Sequence, residues 1–329
     1  MVRQIIVTTP DETADVDEAP ETPGRFQVTK TTTVTTTVTT QTWIDVEVID
    51  DPNEGRVVIF GFNAANGTVT GLQELIDAYG QPDVCRVFSG PGKGIMAWNN
   101  PLLQLLKSDC VLVYSFKDWP LTPGVFAGWM TTKPADRFPE VWVCVDHEPE
   151  QGPDSGDPDP VTYRRQWTEL LGVYNAHARK DEFFPIPIFT EFYARQWWDQ
   201  ANPATGGTWY DDFGVVVEFH GIRGVGFDIY DTGHSTYRTP EHRNEIPLRV
   251  AQRAQLPLLI CELNIGNKAS IDPDDTGAAE AFRRNTDYLR DEVTHPVPYV
   301  MQYHLGGGNL IERPEVQEAF MDAIDGNPN

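Results

Sequence analysis

An α/β barrel of eight parallel strands, preceded by an extended Thr/Val-rich β arm, is the fold class this sequence of 329 residues predicts. Three observations point to it. After Arg56, short apolar runs recur at regular spacing. The stretches between those runs carry apolar residues at helical spacing. Residues 1–50 show neither feature and follow a period of two instead.

Within residues 1–50, the acidic stretch Asp11 to Glu21 contains proline and no aromatics, and it reads as a solvated loop. In "QVTKTTTVTTTVTTQTWIDVEVID", Val28, Val34, Val38, Ile44, Val46 and Val48 all fall on even positions, with Thr at most of the others. Period two with β-branched residues is a strand signature, but a strand this hydroxylated builds no core alone. It fits an arm or hairpin that pairs with another copy or an assembly partner, and equally a flexible Thr-rich linker.

Residues 55–329 form the second region. The runs are "RVVIFGF" (56–62), "CRVF" (85–88), "CVLVYSF" (110–116), "VWVCVD" (141–146), "IPIFTEF" (186–192), "VGFDIY" (225–230), "PLLICE" (257–262) and "VPYVMQY" (297–303). Runs apolar on both faces are expected of parallel strands covered by helices. Tyr163, Trp167, Leu170, Leu171 and Tyr174 fall on one helical face, and Ala278, Ala281, Phe282, Tyr288 and Leu289 repeat the pattern, with Asp275 or Thr276 as N-cap. Eight strands alternating with helices over about 270 residues is the rhythm of a (β/α)8 barrel. "VVVEFH" (215–220) competes for the place of sixth strand, and an open doubly wound sheet is the alternative architecture.

Composition narrows the function. A formal net charge of -24 argues against nucleic acid and anionic membrane surfaces, both of which attract basic footprints. No apolar run approaches the ~20 residues of a membrane span. The opening "MVRQIIVTTPDETADVDEAP" carries no secretory-signal pattern. Cys85, Cys110, Cys144 and Cys261 lie in or beside apolar runs without ligand spacing, as buried thiols do. "SGPGKG" (89–94) lacks the spacing of a phosphate loop, and no metal or acyl-transfer motif occurs, so no cofactor or metal is expected.

Barrel active sites sit at the C-terminal ends of the strands. There the fourth run ends Asp146-His147-Glu148, the sixth carries Asp228 and Tyr230, the seventh Glu262, and the eighth Tyr303 and His304. A carboxylate after five apolar residues, as in "PLLICE", is costly to bury unless hydrogen-bonded or functional. Carboxylates on strands four and seven face each other across a barrel mouth. Two opposed carboxyl groups are what glycosidic cleavage requires, one as proton donor and one as nucleophile. His147 and Tyr230 are placed to orient them. Trp119, Trp197, Trp198, Trp209 and Tyr210 fall in segments expected near the rim, where flat rings pack against sugar faces. The candidate set is therefore Glu148 and Glu262 as catalytic residues. His147, Tyr230, Asp228, Trp119, Trp198, Trp209, Tyr303 and His304 are the candidate substrate contacts.

These strand-end motifs resemble the retaining (β/α)8 glycoside hydrolases, and "DHEPE" is most similar to the β-mannanase-like branch. The resemblance spans Arg56 to Ala323. It implies Glu148 as acid/base, Glu262 as nucleophile, Tyr230 near the nucleophile, and a cell-wall or extracellular polysaccharide as substrate. The sequence departs from mannanases after the Glu, where Pro149-Glu150-Gln151 replaces Met-Asn-Gly. A sugar-handling barrel joined to an assembly arm, without an export signal, looks like a phage minor tail or tail-tip protein. The expected location is then extracellular or on the virion. The rival reading is a virion structural protein whose barrel binds glycan without cleaving it.

Overall fold

The computed structural model describes residues 14–18, 25–30, 40–45, 57–64, 67–117, 123–151, 157–201, 207–231, 236–265, 272, 275–303 and 313–327. The chain divides into two compact units, Met1–Gly55 and Arg56–Asn329.

The first unit contains β1 (Ala14–Glu18), β2 (Arg25–Lys30) and β3 (Thr40–Asp45), an antiparallel meander in the order β1-β2-β3. Val16 lies opposite Val28, and Phe26 opposite Ile44. The acidic stretch read as a loop thus includes a strand. Its Ala-Asp-Val-Asp-Glu alternates apolar and polar residues, a pattern that acidic composition hid. The long Thr/Val run contributes two separate strands, and residues 31–39 between them lie outside the described residues.

The second unit is built on β4 (Ile59–Asn63), β5 (Val84–Ser89), β6 (Val111–Phe116), β7 (Val141–Val145), β8 (Phe183–Pro185), β9 (Ile188–Thr190), β10 (Val225–Tyr230), β11 (Leu258–Asn264) and β12 (Tyr299–Gln302). All pairings are parallel, in the order β8-β7-β6-β5-β4-β12-β11-β10-β9. The two ends of that order, β8 and β9, are halves of one strand. "FFPIPIFT" explains the split, because Pro185 and Pro187 have no N–H to donate. The backbone still bridges the seam. Ile186 N–H donates to Val143 O on β7 at 2.9 Å, and Pro187 O accepts from Gly226 N–H of β10 at 2.8 Å. The sheet therefore closes on itself as eight strands, the barrel expected from the sequence. The fifth strand begins three residues earlier than its apolar run. "VVVEFH" contributes no strand, since Gly214–Glu218 is a 3-10 turn.

Between the strands run α1 (Val69–Tyr79), α2 (Pro101–Leu105), α3 (Pro123–Thr131), α4 (Pro160–Ala176), α5 (Glu191–Ala201), α6 (Gly207–Asp212), α7 (Pro240–Ala254), α8 (Thr276–Asp287) and α9 (Pro314–Asp325). Asp159 caps α4, accepting from Val161 N–H and Thr162 N–H, with Pro160 preset for the first turn. The face of α4 expected from spacing is buried as a set: Tyr163, Trp167, Leu170, Leu171 and Tyr174. Asp275 occupies the N-cap position of α8 but its carboxylate is held by Arg313, and Asp272 accepts from Gly277 N–H and Ala278 N–H instead. Close strand packing demands glycine at Gly61, where a Cβ would stand 2.0 Å from Val84 O. The four cysteines are free and buried.

Candidate active site

Two local irregularities aim the strand-end carboxylates. In β11 the register against β10 runs Phe227 to Ile260, then Asp228 to Glu262, so Cys261 is the extra residue of a bulge. A bulge turns the following side chains relative to the regular pleat. Here it sets Asp228 and Glu262 directly opposite each other. At the end of β7, Asp146 (φ 46°) and Glu148 (φ 54°) both adopt left-handed backbone, a conformation that costs non-glycine residues about 1–3 kcal/mol each and clusters at functional sites. Glu148 N–H donates to Ile188 O at 2.9 Å, fixing the turn against β9.

Glu262 is held from both sides. Its Oε1 lies 3.0 Å from Arg86 Nη1, and its Oε2 accepts a short hydrogen bond from the Tyr230 hydroxyl. Arg86 is 0% exposed and also pairs with Asp228 Oδ1 at 2.5 Å. One guanidinium thus serves two carboxyls, whose ionisation is shared as well. Burial pushes Glu262 up to about 7, with Arg86 opposing and the negative charge of Glu148 adding to the rise. Burial drives Asp228 well above the ordinary carboxylate range, against the pull of Arg86. Asn63 of β4 lies beside Glu262 and favours its charged form.

Glu148 has softer partners and is only half-buried. Its Oε1 accepts from Thr190 Oγ1–H at 3.1 Å and its Oε2 from Gln151 Nε2–H at 2.7 Å. Burial raises its pKa, while Arg86, the Thr190 hydroxyl and Lys117 hold the rise down. Lys117 is itself paired with Asp157 at 2.7 Å. The His147 ring lies tilted against Phe88 at 5.8 Å rather than bonding Glu148. Burial, Arg86 and Lys117 together lower its pKa well below the usual range, so the imidazole is neutral at pH 7. Tyr303 packs edge-on to Tyr230 at 5.7 Å, and burial with the nearby carboxylates pushes its hydroxyl up to about 12.

The structure thus brings together Glu148, Glu262, Tyr230, Asp228, His147 and Tyr303. Three expected contacts are corrected. Asp228 is wholly buried and paired with Arg86, so it offers no surface to a substrate. Trp198 and Trp209 are buried core residues with ring centroids 6.4 Å apart, and Trp209 also packs on Phe189 and Phe227. Trp198 lies in α5 and Trp209 in α6, and the two helices turn these rings inward rather than towards a rim. Trp119, His304 and the Trp197 side chain lie outside the described residues. Tyr210 is buried, with its hydroxyl donating to Glu218 Oε1 at 2.6 Å. Sequence reasoning passed over Arg86, Thr190 and Glu150. The signal for Arg86 was available, as a cation in the middle of the apolar run Val-Cys-Arg-Val-Phe. Among the described residues, no cluster of three or more His, Cys, Asp or Glu side chains is arranged to hold a metal ion.

No protein-family model matches the chain, and no curated protein matches it. Solved structures do. A glucosidase from Croceicoccus marinus aligns with a TM-score of 0.57 at 10% identity, over 82% of this chain and 70% of that one. A GH39 enzyme from Xanthomonas axonopodis pv. citri aligns at 0.52 and 12% identity, over 83% and 66%. A mutant GH128 endo-β-1,3-glucanase from Amycolatopsis mediterranei, in complex with laminarihexaose, aligns at 0.51 and 13% identity, over 80% and 98%. The likeness is one of fold, an α/β barrel shared with these glycosidases.

Proposed function

We propose that the barrel is a retaining glycoside hydrolase acting on a cell-wall or extracellular polysaccharide. The observation that carries this reading is the contrast between two glutamates at one barrel mouth. Glu262 is clamped between a guanidinium and a phenol, and Glu148 is half-buried among neutral donors. A nucleophile needs a fixed, ionised carboxylate, and an acid/base needs a carboxyl that exchanges its proton as the reaction proceeds.

In this mechanism Glu148 donates its proton to the glycosidic oxygen as the bond to the anomeric carbon breaks. Glu262 forms an ester to that carbon, and the leaving sugar departs as an alcohol. Water then attacks the same carbon. Its proton passes to the Glu148 carboxylate, and the ester bond breaks to restore the Glu262 carboxylate. Asp228, the more deeply buried of the two carboxyls on Arg86, carries the shared proton, which leaves the Arg86 charge to Glu262.

The barrel neighbours named above include a glucosidase and an endo-β-1,3-glucanase, so β-glucans are the first substrates to test and mannans the second. The decisive assay is proton NMR of the first sugar product released from such a panel. Release with the β anomer formed first supports the retaining reading, and the α anomer formed first refutes it. Glycan binding without cleavage favours the binding-protein reading, including carriage on a virion tail.

A further inference from the structure

Pro149 separates two glutamates that reach the same residue of β9. The Thr190 hydroxyl donates to Glu148 Oε1 at 3.1 Å, while the Thr190 backbone N–H donates to Glu150 Oε1 and Oε2 at 3.2 and 3.4 Å. Glu150 Oε1 also accepts from Trp209 Nε1–H at 3.0 Å. Glu150 is only 4% exposed, unlike the carboxylate of an ordinary solvated turn. Burying a carboxyl is costly without partners, and here both partners are neutral N–H groups rather than a cation.

We propose that Glu150 is a positioning residue for Glu148, a buried carboxyl that holds the acid/base side chain through Thr190 and couples its own charge to it. The inference rests on the acid/base role given to Glu148 above. A structural acceptor alone would be served equally by glutamine, so the coupling of charge is what distinguishes the two roles.

Burial, with a smaller contribution from Glu148, pushes the Glu150 carboxyl up to about 8. The titratable groups facing it include Glu148 on the same turn and Tyr163 on α4, whose hydroxyl is raised partly by Glu150. Near neutral pH Glu150 therefore holds its proton and places no second negative charge beside Glu148. Linkage makes the effect reciprocal: removing the Glu148 charge eases ionisation of Glu150.

The test follows the Trp209 indole N–H by NMR in the full chain from pH 6 to 10, assigned by its loss in Trp209→Phe. The wild-type resonance is expected to titrate with a midpoint of about 8, to stay flat in Glu150→Gln, and to titrate at lower pH in Glu148→Gln. A resonance that does not titrate, that titrates in Glu150→Gln, or that ignores Glu148→Gln overturns the proposal. These arms need no turnover, so they stand even if the protein proves to hydrolyse nothing, the outcome that defeats the glycosidase reading itself. In an active enzyme, Glu150→Ala lowers kcat by about 10- to 100-fold with KM little changed, as displacement of a catalytic group does. Glu150→Gln recovers most of that loss at pH 6. An unchanged kcat in Glu150→Ala contradicts the positioning role.

Discussion

The ends of β7 and β11 each present a glutamate to the barrel mouth, by different devices. At β11 a bulge inside a hydrogen-bonded strand aims Glu262, and a buried arginine and a tyrosine fix both of its oxygens. At β7 the strand has already ended, and two left-handed residues turn Glu148 towards a threonine and a glutamine. The first arrangement fixes one carboxyl in one place. The second leaves a carboxyl partly open to solvent, bonded by neutral side-chain donors. The contrast is one of backbone: a barrel gives identical side chains different surroundings through the strand ends that carry them.

The comparison breaks most severely at Glu262. Glu262→Gln keeps the shape but removes the proposed nucleophile, and kcat should fall by about 10^4-fold or more, the scale reached when a covalent participant is lost. Circular dichroism should show the fold retained. Glu148→Gln should cost about 10^2- to 10^4-fold on natural glycans. The loss should shrink on aryl glycosides, whose phenolate leaves without a proton, and equal losses on both substrates would contradict the acid role.

Arg86→Met strikes chiefly at the Glu262 side, where the guanidinium makes its direct ion pairs. It leaves Asp228 and Glu262 buried without their cation and should cost about 3–5 kcal/mol in a denaturant titration. Adding Asp228→Asn should restore part of that loss. The smallest effect belongs to Tyr230→Phe, about tenfold in kcat, the scale of one hydrogen bond to a charged group. It also moves the pH profile. In the proposed mechanism Glu262 acts as an anion, so activity should fall as pH drops through its pKa of about 7, and the Tyr230 hydroxyl lowers that pKa. Its loss should therefore shift the acidic limb of kcat/KM to higher pH. A shift to lower pH would contradict the assigned contact.

Much of this was legible in the sequence. The eight apolar runs mark all eight barrel strands because parallel strands buried on both faces leave an uninterrupted apolar trace. Glu262 stands out for the same reason, as a charge within such a trace. The split of the fifth strand is written in Pro185 and Pro187, but closure through it depends on register, which one strand's sequence does not encode. Arg86 was readable by the logic that found Glu262. Glu150 was not, because only the left-handed turn at Glu148 buries it, and nothing in Glu-Pro-Glu announces that turn. Trp198 and Trp209 misled, since a ring suited to stacking on sugar is suited equally to a core. Val16 between two aspartates escaped notice because composition outweighed alternation.

In the proposed mechanism Glu262 and Glu148 divide the labour between nucleophile and acid/base. The most direct test of that division is mass spectrometry of the protein after reaction with an activated 2-deoxy-2-fluoro-β-glycoside, a reagent that accumulates the glycosyl ester. One added sugar is expected on the peptide containing Glu262, with the Glu148 peptide unmodified. A label on Glu148, or hydrolysis that proceeds with no labelled intermediate and with inversion, would contradict it.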